Sequence, residues 1–280
     1  IQPAAGDAGG SLGAALAYWH QELNNERKIS SSDSMRGAYL GPKFENSAIE
    51  KELISIGANF QKKSEEELLN ILATELCKEK TVGWFQGRME FGPRALGARS
   101  IIADPRSAKM QKELNLKVKF RESFRPFAPS VLSEDVSDWF DLKVPSPYML
   151  LVADVKKEIQ VPMTSKEEAL FGIEKLNVKR SKIPSVTHVD YSARIQTVHQ
   201  ETNPRYYKLI KKFKEITGCP ILVNTSFNVR GEPIVCSTKD AFKCFMATNL
   251  DILVIEDFIL LKSKQNKSLH ENYKNQFNLD

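Results

Sequence analysis

The chain reads as an α/β protein whose sheet is twisted, mixed and partly antiparallel. Two observations carry that expectation. Short apolar runs at 81–85, 128–132, 220–224, 251–256 and 257–262 have the length and the flanking turn residues of strands. Capped amphipathic helices lie among them, yet strands and helices do not alternate strictly, as a purely parallel sheet would require. With 280 residues, 41% of them hydrophobic, the chain can bury a large core in one big domain or in a domain plus a fragment.

In chain order, a glycine-rich turn from Ala5 leads into a helix running to about Asn25. Asp7 stands just before it, where an N-cap or turn aspartate is common. Residues 29–46 are polar, with Ser30, Ser34 and Gly41-Pro42 among them, and suit a linker with a short helix after it at 49–57. Ser64 and Glu67 form a capping box for a helix with Leu68, Leu69, Leu72 and Leu76 on one face. Ser107 is placed to cap a helix reaching Leu116. Lys117, Lys119 and Arg121 alternate, so an extended backbone would put them on one face, which is also the pattern of an ordinary solvated strand. Strands are expected at 128–132 and 147–155, with a turn of helix at 133–140 between them. Residues 155–184 read as an excursion over the surface, and 186–199 as strand, turn, strand with Arg194 just past the turn. Asn203-Pro204 starts a helix that Gly218 stops. The strand at 220–224 ends at Asn224, in a stretch dense in hydrogen-bond donors, and carboxyl ends of strands are where α/β sheets place ligands. Ser237 caps the last helix, and the tail from Ser263 is polar.

The chemistry concentrates at 87–104, where Arg88, Arg94 and Arg99 and one carboxylate, Glu90, sit among glycines. Glycine lets backbone approach a ligand, and guanidinium forks match phosphate oxygens. Residues 88–125 hold ten Lys or Arg against four Asp or Glu, a surplus of six, while the whole chain carries +5. The basic excess is therefore local, as for a bound polyanion rather than a generally nucleic-acid-coating surface. A basic turn held by surface ion pairs is the plainer alternative. The four cysteines lack Cys-x-x-Cys spacing and fit reduced thiols in a cytoplasmic protein, and the four histidines are scattered. No apolar run is long enough for a membrane span. The chain starts at Ile1 without a basic-then-apolar leader, and is expected to be a piece of a longer protein.

Four motifs follow in order: Arg88-Met-Glu-Phe-Gly-Pro-Arg94-Ala-Leu-Gly-x-Arg99-Ser-Ile, Phe120-Arg-Glu-x-Phe-Arg125-Pro-Phe-Ala-Pro, His188-Val-Asp-x-Ser-Ala-Arg194-x-Gln-Thr-Val and Asn224-Thr-Ser226-Phe-Asn228-x-x-Gly-Glu-Pro-Ile-Val. Together they resemble the C-terminal half of the O-carbamoyltransferase family, which includes nodulation protein U and antibiotic-tailoring carbamoyltransferases. The resemblance implies a YrdC-like twisted mixed sheet with flanking helices at 64–262, preceded by a 29–63 linker and followed by a polar tail at 263–280. Residues 1–28 would be the closing segment of a truncated actin-like (ASKHA-type) domain. It implies that carbamoyl phosphate and ATP, with Mg2+, yield carbamoyl adenylate, and that the missing N-terminal half passes the carbamoyl group to a hydroxyl-bearing small molecule. By motif position, Lys119, Arg125, Arg194 and Asn224 are the expected catalytic residues, and Arg94, Arg99, Ser226 and Asn228 bind nucleotide or carbamoyl phosphate. Asp7 matches a metal-site position of the N-terminal half, whose histidine partners would lie upstream, so no metal is expected there in this chain. The family has glycine where this chain has Tyr191, so a left-handed turn at that point would be strained. Two other readings stand beside this one: a nucleotide- or RNA-binding module of the tRNA threonylcarbamoylation type, and a non-catalytic piece that docks on its missing half.

Overall fold

The structure is a computed structural model that describes residues 3–4, 6–30 and 33–270. Among these, nine strands form one sheet: β1 (Gln61–Lys62), β2 (Val82–Phe85), β3 (Arg99–Ala103), β4 (Ala128–Leu132), β5 (Leu151–Asp154), β6 (Ser192–Val198), β7 (Ile221–Ser226), β8 (Ile252–Ile255) and β9 (Phe258–Leu261). Their order is β1-β9-β8-β2-β3-β7-β4-β6-β5. β2 runs parallel to β8 and β4 to β6, and the other neighbours are antiparallel. The sheet is thus mixed, as the irregular alternation of elements predicts. Its central strands are buried along their whole length, which is why Val-Gly-Trp-Phe and Ile-Leu-Val-Ile read as unbroken apolar runs.

The helices are α1 (Gly10–Ala17), α2 (Asn46–Ser55), α3 (Glu65–Cys77), α4 (Met110–Lys117), α5 (Val136–Trp139), α6 (Ser165–Glu168), α7 (Gly172–Leu176), α8 (Pro204–Thr217) and α9 (Thr238–Ala247). The caps read from sequence form: Ser64 and Glu67 close a capping box on α3, and Ser237 and Asp240 close one on α9. Asn203 accepts from the Tyr206 amide at the start of α8, and Gly218 ends that helix at φ +73°. α3 and α8 lie against each other, burying Leu68, Leu69, Leu72 and Leu76 on one and Tyr206, Leu209, Ile210 and Phe213 on the other.

Several expectations are corrected. Residues 29–63 are not a linker over their later part. α2 buries Ile49 and Leu53 completely, β1 pairs with β9 at the sheet edge, and residues 38–42 hydrogen-bond to 89–91. The short helix expected at 49–57 does form, as α2, but its one apolar i, i+4 pair, Ile49 and Leu53, is too short a signal to show that it packs on the core. Lys117, Lys119 and Arg121 do not share an extended face, because Lys117 closes α4 and Phe120 turns at φ +48°. Ser107 does not cap α4, whose N-cap position is Lys109 and which has no side-chain cap. The turn at 189–190 and the strand after it form as expected, but the first strand of 186–199 does not: Pro184–Val186 is a turn of 3-10 helix and leads straight into that turn. In the tail, Gln265 is buried and bonds both the amide and the carbonyl of Asn59, while residues 271–280 lie outside the described set. α1 buries none of its residues. No described helix is long and apolar enough to cross a membrane.

If α2 belongs to the domain core, Leu53→Ala lowers unfolding free energy by about 2–5 kcal/mol. Denaturant titration reads this directly, and a change below about 0.5 kcal/mol, the scale of surface substitutions, would return 46–62 to linker status.

Candidate active site

The connection between β2 and β3, residues 86–98, folds back across the sheet and is tied down atom by atom. Its carbonyls at Ala95, Leu96 and Gly97 accept from Asn224 Nδ2 (3.1 Å), Gln196 Nε2 (2.7 Å) and Trp84 Nε1 (2.9 Å) respectively. Tyr39 donates to the Leu96 carbonyl (2.7 Å) and Asn203 to that of Gly97 (3.1 Å). Its amides are held by one buried carboxylate. Glu90 Oε1 accepts from Leu96 (2.6 Å), Ala98 (2.8 Å) and Arg99 (3.3 Å). Burial pushes the Glu90 carboxyl above its ordinary range, with those amides opposing the shift. Gly97 sits at φ +99°, and a Cβ there would lie 2.2 Å from the Tyr206 ring, so only glycine fits. Arg88 and Glu90 are not a pair: Arg88 Nη1 donates to the Gly41 carbonyl.

This clamped loop presents Arg94. β6 presents Arg194, two residues before Gln196 and therefore on the same face. Burial lowers the Arg194 guanidinium below its ordinary range, and the nearby Arg94 charge lowers it further. Among the described residues neither arginine has an ion-pair partner, and the Nε of each is buried without a hydrogen bond. Met149 Sδ, 4.0 Å from Arg194 Nη2, is its hydrogen-bond contact. Two neighbouring cations held without a carboxylate give this part of the fold a local positive charge, which favours an anion over a cation.

Asn224 completes the floor. It is buried, opposite Ala128 on β4, while Ser130 lies opposite Gln196. Ser130 donates to Gln196 Oε1 (2.6 Å), and Asn224 Nδ2 lies 3.0 Å from Ser130 Oγ and 2.8 Å from Gln196 Oε1. The Ala95 carbonyl can only accept, so the nitrogen end of the Asn224 amide must face it. That leaves Oδ1 buried without a partner, an acceptor available to an N–H.

A second cluster lies one step along β7. Lys119 is buried and donates to the Ser226 carbonyl (2.5 Å) and Oγ (3.1 Å), and to the Asn228 carbonyl (2.8 Å) and Oδ1 (2.7 Å). Burial, reinforced by the Arg121 guanidinium, pulls the Lys119 ammonium down to about 7. Lys119, Ser226 and Asn228 thus meet each other, while Asn224 bonds the Ala95 carbonyl next to Arg94, whose charge reaches Arg194. Arg125 is exposed and pairs with Glu122 at 3.0 Å.

Arg99 is set apart from both groups. It follows Phe85 in pairing and precedes Ser100, whose Oγ faces the loop at Gly97, so its own side chain points to the other face of the sheet. It is fully buried, stacked 3.5 Å from the Phe85 ring centroid, and it donates to the carbonyls of Pro42, Gln86, Gly87 and Ala98. Burial lowers it to about 10. A guanidinium so engaged is a structural post, and the expected ligand role is withdrawn. The Asp7 side chain lies outside the described residues, and among those described no three His, Cys, Asp or Glu side chains gather as a metal site.

Left-handed backbone surrounds the clusters. Tyr191 adopts φ +66° despite its bulk, Met149 φ +55° and Phe120 φ +48°. Such residues cost about 1–3 kcal/mol each and tend to gather at functional sites. Tyr191 therefore takes the left-handed turn expected to be strained, and β6 starts directly after it at Ser192. Sequence reading missed Gln196, Ser130 and Tyr39. Gln196 was open to discovery, since it shares a strand face with Arg194, while Ser130 and Tyr39 carry no local signal.

Residues 73–262 match the family described as carbamoyltransferase C-terminus. The chain is 58% identical over 283 residues to an uncharacterized protein of Synechocystis sp., covering 100% of this chain and 46% of that protein. It is 40% identical over 267 residues to nodulation protein NolNO of Sinorhizobium fredii, covering 94% of this chain and 36% of that one. It thus spans less than half the length of these relatives. Among solved structures, full-length HypF in a phosphate- and nucleotide-bound form is similar over 72% of this chain and 22% of that one, with 16% sequence identity and a TM-score of 0.43.

The Lys119 cluster predicts a pH signature. Between about 7, its value in the fold, and its ordinary 10.5, the unfolded lysine holds a proton that the folded one has lost. Stability then rises with pH, by at most about 1.4 kcal/mol per unit. Denaturant titrations of wild type and Lys119→Met across that window should diverge with this sign, and parallel curves would show an ordinary lysine.

Proposed function

Because the chain belongs to the carbamoyltransferase C-terminal family, we propose that it binds ATP and carbamoyl phosphate and forms carbamoyl adenylate. The observation that carries the reading is the Arg94–Arg194 pair, without an acid partner among the described residues, together with the buried, unpartnered Oδ1 of Asn224, which bonds the loop at Ala95.

The reaction brings a carbamate oxygen up to the α-phosphorus of ATP, and a new O–P bond forms as pyrophosphate leaves. Both reactants are anions, so the barrier is largely electrostatic, and fixed cations act on it without having to reorganise. Arg94 and Arg194 would hold the α-phosphate and the incoming carboxylate, and Asn224 Oδ1 would accept from the carbamoyl NH2. An acyl group without an N–H would leave that acceptor buried and unsatisfied, which favours carbamoyl over acetyl. Lys119, with Ser226 and Asn228, sits one step along the strand, where its donors could turn to the departing phosphates. Arg125 stands at the exposed rim, suited to meeting the ligand as it enters. Mg2+ would come with the triphosphate and offset part of its charge. The carbamoyl group would then pass to a hydroxyl acceptor at a domain that this chain does not contain, in the cytoplasm, where both proposed reactants are made.

Calorimetric ATP titration tests the pocket. Arg94→Ala and Arg194→Ala should each weaken binding roughly 10–100-fold, the scale of about 1.5–3 kcal/mol for a hydrogen bond to a charged group, and the double variant should abolish it. Unchanged affinity in the double variant, or steeply salt-dependent RNA binding with no ATP-dependent product, would reject the reading.

A further inference from the structure

A cavity of about 630 Å³ opens at the turn that carries His188 and Asp190 and has no role in the reading above. Its walls are mostly apolar, with Phe124, Pro126, Ile173, Leu176 and Val189 among them; of the residues lining it only His188 and Asp190 ionise. His188 belongs to the same motif as Arg194, whose charge acts on its ring.

The hydrogen bonds around His188 determine its tautomer. Ser192 Oγ donates its single hydrogen to Asp190 Oδ1 at 2.7 Å, and the Ser192 amide binds the same oxygen at 3.0 Å. Having no hydrogen left, Ser192 Oγ can only accept from His188 Nδ1, 3.0 Å away. The neutral ring therefore carries its proton on Nδ1 and a lone pair on Nε2, which has no partner among the described residues. The turn is closed by bonds between the His188 amide and the Ser192 carbonyl and between the Tyr191 amide and the His188 carbonyl. Tyr191 is held left-handed within it. A carboxylate, a hydroxyl and an imidazole in series, built on a strained turn at a cavity mouth, have the form of an oriented base.

We propose that His188 is the general base of this site, accepting at Nε2 a proton from the water that splits carbamoyl phosphate into the carbamate used for adenylation. The assignment rests on the carbamoyl adenylate reading of the site. The water oxygen bonds to the phosphorus, the P–O bond to the carbamoyl oxygen breaks, and its electron pair leaves with carbamate. Inorganic phosphate is the other product, and the proton resides on Nε2 until solvent removes it. Two charged groups bear on the ring: Asp190 on its own turn and Arg194 on β6. Burial and Arg194 lower the imidazole below its ordinary 6.5 while Asp190 opposes them, so the ring is a free base at neutral pH.

Phosphate release from carbamoyl phosphate with ATP and Mg2+, followed between roughly pH 5 and 8 where imidazole titrates, tests this, with ATP affinity measured in parallel. Wild type should slow as the pH falls below the His188 value. His188→Gln should lose roughly 10²–10⁴-fold in rate together with that acidic limb, while still binding ATP. Asp190→Asn keeps the acceptor oxygen and removes the charge, so the limb should move to lower pH with His188 intact. If His188→Gln keeps the wild-type rate and pH profile, the assignment to His188 is overturned and the arginine pocket stands. A wild-type chain that releases neither phosphate nor pyrophosphate overturns the carbamoyl adenylate reading and this inference with it.

Discussion

The structure depends on the backbone of one loop being satisfied by side chains. Carbonyls at Ala95, Leu96 and Gly97 are taken by Asn224, Gln196, Tyr39, Trp84 and Asn203, and amides at Leu96, Ala98 and Arg99 by Glu90. A buried loop with unpaired polar groups would cost about 1–3 kcal/mol for each group. Here the same bonds that remove this cost also orient the loop. The donors come from β2, β6, β7, the start of α8 and the segment before α2, so the position of Arg94 is set by the fold as a whole. The two neighbouring cations can be held without a carboxylate because the scaffold around them is otherwise satisfied.

The arrangement also separates two uses of arginine. Four of the ten cations at 88–125 pair with acids: Arg106 with Asp104, Lys109 with Glu79, Lys117 with Glu113 and Arg125 with Glu122. Arg99 holds carbonyls, and Arg121 bonds Asn115 and lies over Phe127. Arg94 has no acid partner among the described residues, and its companion Arg194 arrives from a strand a hundred residues later. Local charge density therefore pointed to the right neighbourhood for an incomplete reason. What sets the two guanidinium groups apart is that no acid pairs with either among the described residues, a property of the tertiary packing.

Legibility followed the range of the interactions. Caps at Ser64, Asn203, Gly218 and Ser237 and the buried strands were readable because their causes lie within a few residues. The strap at 36–42 and the edge strand β1 were not, because they form only against distant partners: Tyr39 on Leu96, and Gln61 on Ile259. Motif resemblance brought Arg94, Lys119, Arg194, Asn224, Ser226 and Asn228 into consideration, and the fold groups them into two adjoining clusters. It could not distinguish Arg99, whose motif position is as strong but whose side chain leaves by the opposite face of β3. Nor could spacing reveal the Asp190–Ser192–His188 series, which exists only because Tyr191 accepts a left-handed backbone.

The central claim is geometric: one phosphate lies between Arg94 and Arg194 with the carbamoyl amine on Asn224 Oδ1. A crystal structure of the chain with a non-hydrolysable carbamoyl adenylate analogue measures it most directly. The account predicts the phosphorus flanked by both guanidinium groups and the analogue's N–H at hydrogen-bond distance from Asn224 Oδ1. Density for the phosphate beside Arg125 and Arg230 at the surface, with Arg94 and Arg194 still untouched, would contradict it.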